Sequence, residues 1–496
     1  MKRLSLALAT TLLWTACTSD PSTLDDGGGS RDATRSDSGA ADGGSRDAGP
    51  TADAGPTADA GPTADAGPTA DAGPTPDAGP TPDAGDQSGT PLLERTPRIS
   101  KTCAIARPLI NHQPRYFDRN SALVASSAAF FVARAEHMGS PFGGEPSTFF
   151  LSTLALDGTF GATTDLGGTT PTTASEPAMV ETTDGFAMVW IQDDRLRFAR
   201  FDPSGVQQGT TRTLQSPTVA AGARPKLLVR PGGFLVVYTG DARTNGVAAH
   251  VDLLFLDNSG APTGAPLRTI DSFEYFDPAP SALVTSNGIV IAYRSHGTAQ
   301  DTSGVFLQRL DAAGAKIGLP QNLSTVTGMG SSAGGGGMFS NPRVALAEVS
   351  SNLIVAWSEG ITRDSLTNPV GWSRVMVQRF DSELRSLGPA ERVQREQDNV
   401  NAEEPALYTK DGKVILMWSQ GAEIYFCGGC YPDNSLHLIW LDPSDLTPIS
   451  AEQVVPPLTG GLVGHHLAFR GSDLLVLTDI QFHVHGEPGS VALRCQ

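Results

Sequence analysis

Cys427-Gly-Gly-Cys430 has the spacing of a redox or metal-binding pair, and His483-Val-His485 stands in the corresponding stretch of the next repeat unit. Two thiolates and two imidazoles form a zinc donor set, so Cys427, Cys430, His483 and His485 are a candidate metal site. Redox chemistry would need a helix N-terminus to hold the thiolate, and no helical period of useful length runs through the chain. A second string, Gly330-Ser-Ser332-Ala-Gly334, matches the nucleophile elbow of serine hydrolases. That elbow works only as a strand-to-helix turn that exposes the serine. Here it lies in a glycine run and reads as a loop. A third pattern pairs an apolar residue with Asp at Leu156-Asp157, Phe201-Asp202, Leu256-Asp257, Leu310-Asp311, Phe380-Asp381 and Leu441-Asp442. Calcium loops place several oxygen ligands at alternating positions. These lack them, so each Asp is read as a cap for turn amides. No cofactor is expected.

The element that must position these residues is a repeat. Thirteen positions after Pro225 stands Tyr238, and the same register joins Pro177 to Trp190, Pro280 to Tyr293 and Pro405 to Trp418. Pro342 reaches Trp357 with two residues inserted, and weaker copies begin at Ser121 and His465. Seven units result, their starts 48 to 63 residues apart. Runs such as Gly185-Phe-Ala-Met-Val-Trp190 and Lys413-Val-Ile-Leu-Met-Trp418 are short, apolar and rich in branched or aromatic residues, the mark of buried strands. Asp184-Gly185, Gly232-Gly233, Asn287-Gly288 and Asp411-Gly412 suit two-residue hairpin turns. The pattern predicts an all-β chain, a seven-bladed β-propeller that manages its strand edges by closing the ring. The recurring aromatics read as blade packing before they read as a sugar platform.

The chain ends predict how the ring closes. Ser490-Val-Ala-Leu-Arg-Cys495 aligns with Phe306-Leu-Gln-Arg-Leu-Asp311, a third strand, so the last unit lacks its fourth. The segment Lys101–Arg107 precedes the first unit and is expected to supply it, with Cys103 placed to bridge Cys495. By spacing, Cys427 and Cys430 form the other pair, the reading that export favours over zinc. First-to-second strand turns are uniform, whereas second-to-third connections run from Ile191–Arg195 in one unit to Ser419–Ser435 in another. Variable loops on a rigid scaffold are where binding concentrates. The candidate ligand site is therefore that face, around the channel mouth. It takes Glu176, Arg224, Arg343, Glu403, Glu404, His465 and His466 from the innermost-strand starts. The loops add Asp193, Asp194, Arg243, His296, Glu359, Asp364, Trp372 and Tyr431. A mixed acidic, basic and aromatic mouth suits a glycan or a peptide.

Residues 1–17 have a basic start, a short apolar core and small residues before Cys17. The core is too short to span a membrane, so the segment reads as an export signal. Thr15-Ala16-Cys17 resembles the lipobox of bacterial lipoproteins, which implies lipidation of Cys17, and Thr18 implies the outer membrane by the same resemblance. Residues 18–95 form a tether of Gly, Pro, Thr, Ala and Asp, with six Gly-Pro-Thr-Ala-Asp-Ala-type hexads between Gly49 and Ala84. It cannot bury enough surface to fold, and reaches roughly 50 Å as a coil or roughly 220 Å if extended. Residues 96–496 are the propeller.

Fourteen Asp against three Arg give the stretch from Thr18 to Thr90 a charge of −11. With two basic residues in the leader, residues 91–496 keep −9 of the chain's −18. So mild an acidity argues against nucleic acid as a partner. The lipobox, tether and propeller together resemble the surface lipoproteins of bacteria, a resemblance that covers the whole chain and implies a lipid-anchored monomer at the outer membrane or cell surface. Two functions fit such a layout. The preferred one is a binding or scaffold module whose ring mouth meets a glycan, peptide or protein. The alternative is a propeller hydrolase or lyase acting on polysaccharide, for which a convergent carboxylate pair would be needed. The Ser-x-Asp-x-Gly-x-Thr-Trp box of six-bladed sialidases does not occur.

Overall fold

The computed structural model describes residues 89–98, 101, 103–111, 117–137, 147–168, 177–193, 195–214, 225–240, 250–271, 280–296, 303–324, 344–361, 372–394, 401–421, 435–455, 461–481 and 489–495. Within them the chain is almost wholly β, with one 3-10 turn at Leu92–Glu94. Strand β1 (Cys103–Asn111) comes first. Blade 1 is β2 (Phe117–Ala125), β3 (Phe130–His137), β4 (Ser147–Leu154) and β5 (Phe160–Gly168). Blade 2 is β6 (Ala178–Thr182), β7 (Gly185–Gln192), β8 (Arg195–Phe201) and β9 (Gln207–Thr213). Blade 3 is β10 (Lys226–Arg230), β11 (Gly233–Gly240), β12 (His250–Asp257) and β13 (Leu267–Asp271). Blade 4 is β14 (Ser281–Thr285), β15 (Gly288–His296), β16 (Ser303–Leu310) and β17 (Lys316–Asn322). Blade 5 is β18 (Val344–Val349), β19 (Asn352–Ile361), β20 (Trp372–Phe380) and β21 (Glu391–Arg392). Blade 6 is β22 (Asn401–Lys410), β23 (Lys413–Gly421), β24 (Ser435–Leu441) and β25 (Gln453–Val455). Blade 7 is β26 (Gly461–Arg470), β27 (Asp473–Gln481) and β28 (Gly489–Cys495), completed by β1 on its outer edge.

Each sheet is an antiparallel four-stranded meander, and the first strands touch in cyclic order: β2, β6, β10, β14, β18, β22, β26 and back to β2. That closed circle is a seven-bladed β-propeller. The second strands read as unbroken apolar runs because both faces of every sheet are covered. Alternation along β7 sends Phe186, Met188 and Trp190 against blade 1 and Ala187, Val189 and Ile191 against blade 3. Trp190, Tyr238, Tyr293, Trp357 and Trp418 each fill the interface with the preceding blade. Burial there pushes the Tyr293 phenol up to about 12.

The ladders also revise three registers. Val344 pairs with Trp357, so the fifth blade keeps the thirteen-residue spacing with valine in the proline's place, and nothing is inserted. In blade 1 the residue opposite Phe130 is Leu154, which puts Ala155, not Asp157, where later blades carry the turn Asp. In blade 7, Leu474 pairs with Leu493, so Arg494 takes the Asp position, one residue earlier than the sequence alignment placed it.

Two glycines are fixed by close approach. A Cβ on Gly185 (φ 143°) or Gly233 (φ 150°) would lie 2.0 Å from the carbonyl oxygen of Phe201 or Leu256. At the seam, β1 pairs with β28 from Cys103↔Cys495 to Asn111↔Gly489, and the two sulfurs are bonded. The packed region begins ahead of residue 96. Leu92 is fully buried between blades 5 and 6, and the Leu93 amide donates to the Val393 carbonyl (3.0 Å). The amides of Arg98 and Lys101 follow the rim to the Pro448 and Ile449 carbonyls. Among the described residues no helix is long and apolar enough to cross a membrane.

Candidate functional site

The two faces of the ring are built differently. One carries a two-residue turn between first and second strands in every blade, for example Thr183-Asp184, Ser350-Ser351 and Gly471-Ser472. The other carries the second-to-third connections, from two residues (193–194) to thirteen (422–434). Ser350 and Ser351 both hold positive φ (51° and 68°), the mirror-image turn whose twist suits a hairpin.

Of the expected ligand residues, Glu176, Arg224 and Arg343 lie outside the described residues. Glu403 is placed in β22 by its backbone. Glu404 (4% exposed) and His465 (2%) are buried in the wall of the ring, and His466 is half-buried. Asp193 stands in the shortest connection at φ 53°, with its carboxylate 3.7 Å from Arg197. Trp372, Glu359 and His296 are placed in strands by their backbones; Asp194, Arg243, Asp364 and Tyr431 lie outside the described residues. Cys427, Cys430, His483 and His485 lie outside them too, as does Gly330–Gly334. Among the described residues no group of three or more His, Cys, Asp or Glu is placed to hold a metal. A cavity of about 480 Å³ opens at the tight-turn ends of the innermost strands of blades 6, 7, 1 and 2, with Glu181, Lys410 and Arg470 in its lining.

The turn aspartates act as caps. Asp202 Oδ1 accepts from the Ser204 amide (2.8 Å), the Ser204 hydroxyl (2.7 Å) and the Val206 amide (2.9 Å). Asp257 repeats this with Ser259 and Ala261. The Ser204 and Ser259 hydroxyls lead in holding these two carboxyls below their usual range. Asp442 falls to about 2, through the Ser444 amide first, then the Lys413 ammonium and the Ser444 hydroxyl.

Two side-chain clusters at the variable-loop end were not anticipated from sequence. In blade 3, His250 Nε2 lies 3.1 Å from Asp252 Oδ2 and 3.0 Å from Arg268 Nη2, all on one face of the sheet. Gly240 makes the room, since a Cβ there would stand 2.1 Å from the imidazole. In blade 6, Ser435 Oγ lies 2.6 Å from His437 Nε2, and His437 Nδ1 lies 2.6 Å from Glu452 Oε1. Trp418 stacks on the imidazole at 5.2 Å between centroids, and its own indole N–H donates to Gln420. A Ser-x-His pair in a strand always shares a face. The sequence therefore held half of the blade 6 signal; Glu452 joins only through the β24–β25 register.

No protein-family profile matches the chain, and no curated protein matches it in sequence. Among solved structures it is similar to the α-L-arabinofuranosidase Arb93A of Fusarium graminearum (9% identity, 65% of this chain and 93% of that one, TM-score 0.40). It is also similar to an exo-1,5-α-L-arabinanase from a bovine ruminal metagenomic library (12% identity, 54% and 93%, TM-score 0.32). A puromycin hydrolase gives 15% identity over 74% of this chain and 51% of that one, TM-score 0.41. Likeness at this level carries no site and no substrate across.

Proposed function

We propose that the protein is an extracytoplasmic binding module, held to a membrane by lipid on Cys17 and presenting its variable-loop face to a glycan or peptide. The observation that supports this reading is the asymmetry of the two faces. Seven tight turns hold one side of the ring, while the connections on the other differ in length from 2 to 13 residues. Blade packing does not require that variation, and variable loops on a rigid frame are the usual seat of recognition. The tether lets the ring search tens of ångströms around its anchor.

The test uses the full chain, purified from membranes of an expressing bacterium and applied to glycan and peptide arrays. The expected result is a ligand whose binding is lost when connections 362–371 and 422–434 are each replaced by a two-residue turn. Retention of all binding by that variant would overturn the site, and silence on both arrays would overturn the ligand class. Lipidation is tested separately, by palmitate incorporation that Cys17→Ala abolishes.

A further inference from the structure

We propose that Ser435, His437 and Glu452 form a nucleophile–base–carboxylate relay, giving blade 6 an acyl-ester hydrolase site at the variable-loop end of the ring. The geometry is ordered in the sense the chemistry needs: hydroxyl to Nε2 at 2.6 Å, Nδ1 to carboxylate at 2.6 Å. An ionised carboxylate only accepts hydrogen bonds, so Nδ1 carries a proton. Nε2 is then either bare, accepting from the serine hydroxyl, or protonated and donating to it. In the second state the hydroxyl proton has a second acceptor in place, the Gln420 carbonyl at 3.2 Å. The cluster thus accommodates both protonation states that a general base passes through. Trp418 lies face to face with the imidazole, which fixes the ring plane.

The repeat does not impose this arrangement. The two equivalent positions hold His250 and Asp252 in blade 3 and Gly304 and Phe306 in blade 4. Ser435 is only half-buried, at the strand end where the 422–434 connection joins β24, while His437 is buried beneath it (7% exposed). A substrate therefore meets the hydroxyl before the base.

In the reaction, Ser435 Oγ bonds to the acyl carbon of a carboxylic ester and its proton passes to His437 Nε2. The bond to the alcohol oxygen breaks as Nε2 returns that proton to the leaving group. Water then attacks the acyl-serine, giving its proton to Nε2 and on to Oγ as the acid departs. Glu452 positions the imidazole throughout.

The test does not depend on the binding reading, since it needs no array ligand. The full chain is treated with a fluorophosphonate and followed by intact mass and peptide mapping, with p-nitrophenyl acetate turnover in parallel. One adduct per chain on Ser435 is expected, absent in Ser435→Ala at an unchanged melting temperature. His437→Gln should slow labelling by about 100-fold. Glu452→Gln should lower kcat at constant KM, and Glu452→Asp should recover most of it, which loss of mere packing would not produce. No adduct, an adduct that survives Ser435→Ala, or wild-type labelling in His437→Gln would each overturn the proposal. Should His437→Gln melt early, wild type against Ser435→Ala decides alone.

Discussion

Between blades 4 and 5 the interface is filled by Trp357, fully buried among Val290, Ala292, Val355 and Phe380. Between blades 7 and 1 the same repeat position is Arg134, and in blade 7 it is Thr478. Arg134 reaches Ser152 Oγ at 2.6 Å and lies 4.6 Å over the Phe160 ring. The surrounding core is aliphatic with one buried ring, Phe130 packing with Leu123, Val132, Leu154, Leu475 and Leu477 beside three alanines, Ala125, Ala468 and Ala492. Five interfaces thus carry an aromatic at this repeat position, and the two flanking blade 7 do not, taking Trp440 (blades 6 and 7) and Phe130 (blades 7 and 1) from other positions. A ring made of sequential repeats has one junction that the repeat cannot form from neighbouring sequence. Here the first and last strands of the ring are spent on it, through the β1–β28 ladder and a disulfide spanning 392 residues.

The sharpest way to break this comparison is to remove an aromatic from the middle of the ring. Trp357→Ala should cost about 3–5 kcal/mol, read as a lower denaturant midpoint. A loss under about 1 kcal/mol would mean that the repeat position is not what fills the interface. The Cys103→Ser, Cys495→Ser double variant comes next, at about 2–4 kcal/mol. Its effect should be local as well: hydrogen exchange should quicken along β1 and β28 while the β11 and β12 amides stay protected. Uniform quickening would mean that the ring opens as one unit and the seam is no weaker than the rest. Arg134→Ala should cost about 1–3 kcal/mol, by leaving Ser152 without its cationic partner in a buried place.

Much of this is legible in the sequence. An offset of thirteen positions from Pro177 to Trp190 already describes a two-residue hairpin with those residues opposite one another, since a hairpin fixes its own register. The missing fourth strand of the last unit points to β1, because the other units each complete a four-stranded sheet. What failed to show had a physical reason in each case. Pro342 drew the fifth alignment away from Val344, since only backbone pairing tells which residue opens the strand. Asp157 sits within the turn that Ala155 begins, and a sequence pattern cannot separate the two. Leu92 lay in a stretch whose composition looks unable to fold, yet one leucine between blades 5 and 6 anchors it. The Ser435–His437–Glu452 chain depends on the β24–β25 register, which periodicity does not encode. For the mouth residues, burial of Glu404 and His465 could not be told from their position at a strand start.

The smallest expected effect sharpens the comparison by reversing it. Blades 2 to 6 carry a turn Asp, whereas blade 1 has Ala155 and blade 7 has Arg494 at that place. Blade 6 pairs Lys413 with Asp442 at 2.9 Å; blade 7 keeps an ion pair with the signs exchanged, Asp473 with Arg494 at 3.3 Å. Asp442 titrates at about 2 in the fold against an ordinary 3.8. A carboxyl with a depressed folded value stabilises the fold above its unfolded value and loses that contribution as pH falls through the folded one. The window is therefore pH 4 down to 2 for Asp442. Asp202 and Asp257 act in the same direction, and so does Asp381, where burial pushes up but the bonds from Arg385 and the turn amides outweigh it. For Asp442, whose side chain still reaches water in part, the contribution is about 1 kcal/mol or less. Acid should thus loosen the turns of blades 2, 3, 5 and 6 while the β1–β28 ladder holds, making the seam the last part to yield. Hydrogen exchange at pH 4 and pH 2.5 should show the Ser204, Ser259 and Ser444 amides losing protection ahead of β28, with Asp442→Asn removing the difference at Ser444. If β28 opens first at both pH values, the seam is the weak point under every condition, and the turn aspartates do not set the acid response.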